Sequence, residues 1–200
     1  MNSNKKIVFS FRGKEYSRNF LVSWTVSLNH LINLNKYDIL LSQGFSDNSY
    51  NCRLESLGVN MLKEKKLFEN TPYDVCVMID SEILFKPTDL ETLIDRCLTK
   101  YKVVSGLYTL DKNSFFASTD FDSEFIKKDD PLLKNPEVSI KIAGMGFLAC
   151  RKDVLDEFEY PFFDSSISEE ISFSKTLSEK NIPIILCPDI RVLKETYLFM

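Results

Sequence analysis

Apolar residues in this chain change their spacing several times, and each change marks an element. Residues 7–11, IVFSF, form a short apolar run that predicts a first strand, and Arg12-Gly13 predicts a turn. Between Tyr16 and Leu34, apolar side chains recur at Phe20, Leu21, Trp24, Leu28, Leu31 and Ile32. That spacing, with a period of about 3.6 residues, predicts a helix. Residues 37–42, YDILLS, predict a second strand, and the stretch at 43–51, rich in Gly, Ser, Asp and Asn, predicts a loop. Leu54, Leu57, Met61 and Phe68 suggest another helix.

Residues 75–79, VCVMI, predict a third strand, and Pro87 opens a helix carrying Leu90, Leu93, Ile94 and Leu98. Residues 102–108, KVVSGLY, predict a fourth strand. After them the alternation breaks. Residues 111–138 are polar and charged, yet carry Phe115, Phe116, Phe121 and Phe125. So long a loop is either a binding lid or a structural excursion packed on the sheet edge. An apolar strand at 140–150, IKIAGMGFLAC, follows, with Gly144 and Gly146 marking a bulge or a close backbone approach. A short helix with Val154, Leu155 and Phe158 comes next. Ser168 then caps a helix running to about Lys180, with Glu169 and Glu170 in its first turn. Residues 184–187 predict a strand and Pro188-Asp189 a turn.

Strands alternating with helices predict an α/β fold: a mostly parallel central sheet with helices on both faces. No repeat, low-complexity segment or linker divides the 200 residues, so one domain is expected over 1–200. A composition of 44% hydrophobic and 12% aromatic residues supplies a normal core. The net charge of −4, with acids and bases interspersed, lacks the clustered positive face of a phosphate-backbone binder, so duplex nucleic acid is not an expected partner. Cys52, Cys76, Cys97, Cys150 and Cys187 are odd in number and show no C-x-x-C spacing, which fits buried free thiols in a reducing compartment. The N-terminal apolar run is too short for a signal peptide, and no run approaches membrane-spanning length. A soluble cytoplasmic protein without a transmembrane segment is expected.

The candidate chemistry begins where the third strand ends, at Asp80-Ser81-Glu82. Ligands of open α/β sheets bind beyond the carboxyl ends of the strands. Two acids spaced one residue apart in that position could hold a metal-bound, negatively charged ligand such as a nucleotide diphosphate. Around this feature the chain resembles the GT-A-fold (Rossmann-like) glycosyltransferases, particularly the compact family-two-like nucleotide-sugar transferases, over residues 7–193. Four segments carry the resemblance: MIDSEILFKP, similar to a strand ending in a D-x-D motif; VVSGLY; GMGFLACRKDVLDEFEYPFFD, similar to the glycine-rich strand, basic turn, helix and aromatic acceptor loop; and SEEISFSKTLSEKNIPIILCPDI, similar to the E-D-x-x-F helix and closing strand.

The resemblance implies a nucleotide-binding half at 1–110 and an acceptor-side half at 111–200, with the long loop at 111–138. It implies a nucleotide-sugar donor and a Mn²⁺ or Mg²⁺ cofactor, which would neutralise the diphosphate leaving group as a Lewis acid. Asp80 and Glu82 take the D-x-D positions. Glu82 would be the direct metal ligand, and Asp80 would contact the ribose or donor sugar or reach the metal through water. Glu170 takes the place of the base that accepts the acceptor hydroxyl's proton, with Glu169 second. Both glutamates could instead simply stabilise the helix N-terminus. Arg53 resembles a basic residue that reaches the nucleotide, and Phe11 and Arg12 end the strand where base and ribose sit. Gly144 and Gly146 would admit the donor or acceptor sugar. Phe162 and Phe163 would form an aromatic platform for an acceptor sugar, or core.

Two departures stand out. Where many relatives carry a metal-ligating histidine after the last strand, this chain has Ile190-Arg191-Val192-Leu193-Lys194, and Lys194 could neutralise phosphate directly. The chain also ends at Met200, so no separate acceptor domain is expected. The single histidine, His30, falls in the first predicted helix, far from every acidic candidate, and reads as structural. The expected function is metal-assisted, inverting transfer of a sugar from a nucleoside diphosphate sugar to an acceptor hydroxyl. The alternatives are a non-catalytic nucleotide-sugar or glycan-binding module of the same fold, and a nucleotidyltransferase. The last is disfavoured because IVFSFRGKEY carries one glycine rather than a glycine-rich phosphate loop.

Overall fold

The computed structural model of the protein describes residues 4–59, 66–68 and 71–195. Its main strands are β1 (Lys5–Arg12), β2 (Tyr37–Gly44), β3 (Val75–Asp80), β5 (Val103–Leu107), β7 (Val138–Ile140), β9 (Phe147–Arg151) and β10 (Ile184–Arg191). Short strands β4 (Ile83–Leu84), β6 (Ala117–Ser118), β8 (Ile142–Ala143) and β11 (Leu193–Lys194) lie between them in the chain. The helices are α1 (Arg18–Leu34), α2 (Ser49–Ser56), α3 (Pro87–Thr99), α4 (Lys152–Leu155) and α5 (Glu169–Glu179).

The seven-stranded sheet has the order β2-β1-β3-β9-β5-β10-β7. Strands β1, β2, β3, β5 and β10 run one way, and β9 and β7 run against them. Alternation along β1 and β3 decides what packs where. Ile7, Phe9, Phe11, Val75, Val77 and Ile79 face one layer, which α1 supplies with Phe20 and Leu31 and α3 with Leu90, Leu93 and Ile94. Val8, Cys76 and Met78 face the other, built from Leu54 of α2, Val154 and Leu155 of α4 and Phe173 and Leu177 of α5. The expected α/β sandwich is what the chain forms.

Local chemistry fixes the helix ends. Ser17 caps α1, its hydroxyl accepting from the Phe20 N–H at 2.9 Å, and Asn35 ends it in the left-handed region at φ 52°. Pro87 opens α3, and the Asp89 carboxylate reaches back to the Lys86 N–H at 3.1 Å. Ser168 caps α5 as its sequence predicts.

Four segments differ from the sequence expectation. Residues 43–51 are not all loop: β2 continues through Gly44, and Asn48 caps a helix, accepting from the Asn51 N–H at 3.0 Å. A Cβ on Gly44 would lie 1.8 Å from the Cys52 carbonyl oxygen, so glycine lets α2 close on β2. The helix expected through Leu54, Leu57 and Phe68 stops at Ser56; Phe68 sits at φ 49°, and Met61 lies outside the described residues. The run at 140–150 divides among β7, β8 and β9, because β7 pairs with β10, β8 with β6, and β9 inserts between β3 and β5. Pro188-Asp189 lies inside β10, where the register shifts between Cys187 and Arg191.

Residues 111–138 form an ordered excursion. Phe115 packs on one core layer and Phe116 on the other, with Phe125 edge-on to Phe116 at 5.4 Å. The short β6–β8 ladder ties the excursion to the segment that leads into β9. All five cysteines are buried and free. Among the described residues, no helix is long and apolar enough to cross a membrane.

Candidate active site

Because β1 and β3 are parallel neighbours, their carboxyl ends meet, and the register sets Arg12 beside Asp80. Main-chain bonds fix the corner: Ser81 N–H donates to the Arg12 carbonyl at 2.9 Å and Asp80 N–H to the Gly146 carbonyl at 3.0 Å. Asp80 Oδ1 accepts from Arg53 Nη2 at 2.6 Å and lies 4.0 Å from Arg12 Nε. Arg12 Nη1 turns the other way, 2.6 Å from Glu169 Oε1 and 3.4 Å from Glu170 Oε1. Glu169 Oε1 also accepts the Ser49 hydroxyl at 3.0 Å, from the first residue of α2. Arg12 thus bridges the strand-end acid and the first turn of α5.

Burial alone would lower the Arg12 pKa, but Asp80, Glu169 and Glu170 hold it above the ordinary arginine value. Glu169 and Glu170 are buried in the first turn of α5. Arg53, which by resemblance would reach the nucleotide, is fully buried. It supports Asp80 from inside the sheet layer, and its Nε and Nη1 have no hydrogen-bond partner among the described residues.

Gly144 and Gly146 are packed by the protein's own Tyr108. A Cβ on Gly144 would lie 1.9 Å from Tyr108 Oη, and one on Gly146 3.0 Å from Tyr108 Oη and 3.1 Å from Asp80 Oδ2. Tyr108 accepts the Gly146 N–H at 3.0 Å. Burial, with Asp80 nearby, drives its phenol well above the ordinary tyrosine range. Phe162 and Phe163 are each 2% exposed and belong to the core, so neither turns an open ring face to solvent. Tyr160, 62% exposed, is the aromatic that does, at the rim of a cleft of about 600 Å³. Phe11 is buried edge-on to Trp24 at 4.8 Å and helps line a cleft of about 350 Å³ with Tyr16 and Gln43. Burial, with Asp80 nearby, pushes the Tyr16 phenol up to about 12.

Several of these residues escaped the sequence reading: Ser49, Tyr108, Tyr16 and Gln43. Only Ser49 carried a signal, an N-cap residue type, Asn48, just before it, which the loop reading of 43–51 passed over.

Glu82 and Lys194 meet across a separate short ladder. β4 and β11 pair antiparallel, with Lys194 opposite Ile83, and the Glu195 N–H donates to the Glu82 carbonyl at 2.8 Å. Lys194 Nζ then lies 3.2 Å from Glu82 Oε1. This bears on the expected Mn²⁺ or Mg²⁺. Each proposed metal ligand already has a side-chain cation: Asp80 has Arg53 and Arg12, and Glu82 has Lys194. A dication about 4 Å from an ammonium is repelled by about 2 kcal/mol in water and about 8 kcal/mol at an effective dielectric of about 20. No group of three or more His, Cys, Asp or Glu that could hold a metal occurs among the described residues. In this arrangement the two carboxylates are countered by basic side chains.

No family model matches the sequence, and no curated protein matches it. Solved structures do. A197 from STIV superposes with a TM-score of 0.60 at 16% identity, covering 96% of this chain and 94% of that one. GalNAc-T7, crystallised with UDP, GalNAc and Mn²⁺, superposes with a TM-score of 0.61 at 9% identity, covering 96% of this chain. The chain spans only 44% of the GalNAc-T7 chain. At these identities the likeness establishes the architecture: a GT-A-like α/β fold of Rossmann type, with its seven-stranded sheet flanked by helices.

Proposed function

We propose that the protein is a glycosyltransferase that moves a sugar from a nucleoside diphosphate sugar to an acceptor hydroxyl, with inversion. The observation that carries this reading is the convergence of Arg12, Asp80, Glu169 and Glu170 at the carboxyl ends of β1 and β3, in a GT-A-like fold. Residues 1–110 supply the donor half. The cleft beside Phe11, Tyr16 and Gln43 suits a flat nucleobase, and Arg12, next after Phe11, stands in register with Asp80. Residues 111–200 supply the acceptor half, with Tyr160 at the rim of its cleft and Phe162 and Phe163 forming the wall.

In the transfer, the acceptor oxygen bonds to the anomeric carbon while the bond from that carbon to the diphosphate oxygen breaks. The electron pair leaves on the diphosphate. Glu170 takes the acceptor proton, because Arg12 holds it only at 3.4 Å whereas Glu169 is bound by both Arg12 and Ser49. Gly144 and Gly146 keep the backbone close to Asp80 and Tyr108 at the donor side. A Mn²⁺ or Mg²⁺ ion has no step in this proposal, since the carboxylates that would hold it are paired with basic side chains.

A panel of nucleoside diphosphate sugars, assayed for slow release of the diphosphate, tests the reading. One donor should be hydrolysed, and Glu170→Gln should lower that rate by about 10²–10⁴-fold, the usual contribution of a general base. Nucleotide binding with no hydrolysis of any donor would favour the non-catalytic binding module, which the engagement of both glutamates by Arg12 would suit.

A further inference from the structure

We propose that the Lys194 ammonium, rather than a divalent cation, supplies the charge that holds the donor diphosphate. This rests on the transferase reading and specifies the chemistry of the same site.

The placement of Lys194 is built into the fold. The β4–β11 ladder and the Glu195-to-Glu82 main-chain bond hold it against the Asp80-Ser81-Glu82 turn. The same turn is bonded to Arg12 through Ser81 N–H. Lys194 therefore pairs with Glu82 and Arg12 borders Asp80 at the same turn, both partly open to solvent, with 25% and 23% of their side chains exposed. Lysine is a point-charge phosphate ligand with rotatable donors. Its present partner, Glu82, is 39% exposed, and such a pair is worth little in water. An incoming phosphate oxygen can therefore take over the ammonium while Glu82 turns to solvent. Arg53 adds buried positive charge behind Asp80, with two nitrogens free of protein partners among the described residues.

This arrangement reverses the role of Glu82. As a metal ligand it would be needed for binding. As the counter-ion of Lys194 it competes with the phosphate, and its neutralisation should help.

Thermal shift followed by calorimetric titration tests this, with UDP, GDP, ADP and CDP each run in EDTA and in Mn²⁺. Unliganded melting of every variant checks that it folds. The expected result is a nucleotide that binds in EDTA with an affinity Mn²⁺ does not improve. Lys194→Met should weaken it about tenfold or more, the scale of a lost charged hydrogen bond. Lys194→Arg should retain most of it, and Glu82→Gln should bind tighter than the parent. Binding that requires Mn²⁺ and disappears in Glu82→Gln would overturn the inference and leave the transferase reading standing. An affinity unchanged in Lys194→Met would also overturn it. No binding of any nucleotide under either condition would sink both.

Discussion

Arg53 is fully buried, and Asp80 is the carboxylate it meets. Removing one partner of a buried ion pair strands the other charge, which typically costs about 3–5 kcal/mol. Asp80 keeps Arg12 at 4.0 Å and 15% side-chain exposure, so the cost here should fall at the low end, about 3 kcal/mol. Urea denaturation of Arg53→Met measures it, and a change within experimental error would mean that Arg53 does not hold Asp80. Gly144 presents a steric case instead. Its missing Cβ leaves room for the Tyr108 hydroxyl, so Gly144→Ala should destabilise by about 1–3 kcal/mol through overpacking. In a Tyr108→Ala background the same substitution should cost less, which a double-mutant cycle in the same assay reads. Neither role was legible in the sequence. NCRLESLG offers Arg53 by resemblance as a nucleotide contact, and only the fold brings Asp80 over it. A glycine between apolar residues announces a close approach but does not name the side chain that makes it.

The helix α5 joins cap chemistry to the candidate base. Ser168 accepts the Ile171 N–H at 3.3 Å and sets the first turn, from which Glu169 and Glu170 reach Arg12. Ser168→Ala should cost about 1 kcal/mol of stability through the lost cap. If Glu170 is the base, donor hydrolysis should fall as well, because fraying that turn moves the carboxylate; thermal melts and the hydrolysis assay run side by side separate the two effects. This helix was readable from Ser168 and the two acids, as were β1, α1, β3 and α3 from apolar period and turn residues. Elements whose buried side is polar were not. Helix α2 buries Cys52, Arg53, Leu54 and Ser56, so its inward face carries little apolar signal. Strand β10 continues through a proline because its register shifts there, and the apolar run at 140–150 changes partners twice without changing composition. Asp80, Glu169, Glu170 and Arg12 were each identifiable as candidates from the sequence, but their convergence depends on β1 and β3 being parallel neighbours.

Over the whole molecule, ion pairs between distant segments fasten the two helical layers and the sheet edges, and they set a pH dependence. The Lys36 and His30 bonds hold Glu91 below the ordinary carboxylate range. Arg96 does the same for Asp189. At Asp74 burial works the other way but loses to the Lys6 N–H and Lys5, and at Asp153 it loses to Lys102 and Arg151. A carboxylate whose folded pKa is depressed contributes stability that is present above its unfolded value and lost as pH falls through the folded one. Asp89 has the opposite sign: burial raises its pKa, so acid relieves rather than costs at that position. The depressed groups outnumber it, and the melting temperature should therefore hold near neutrality and fall once pH drops below about 4, where unfolded carboxylates protonate. Because most of these pairs are partly exposed, added salt should flatten the fall by screening. Melting curves between neutral pH and acid, at low and high salt, read this directly. A melting temperature that rises on acidification would mean that burial, not pairing, dominates these carboxylates.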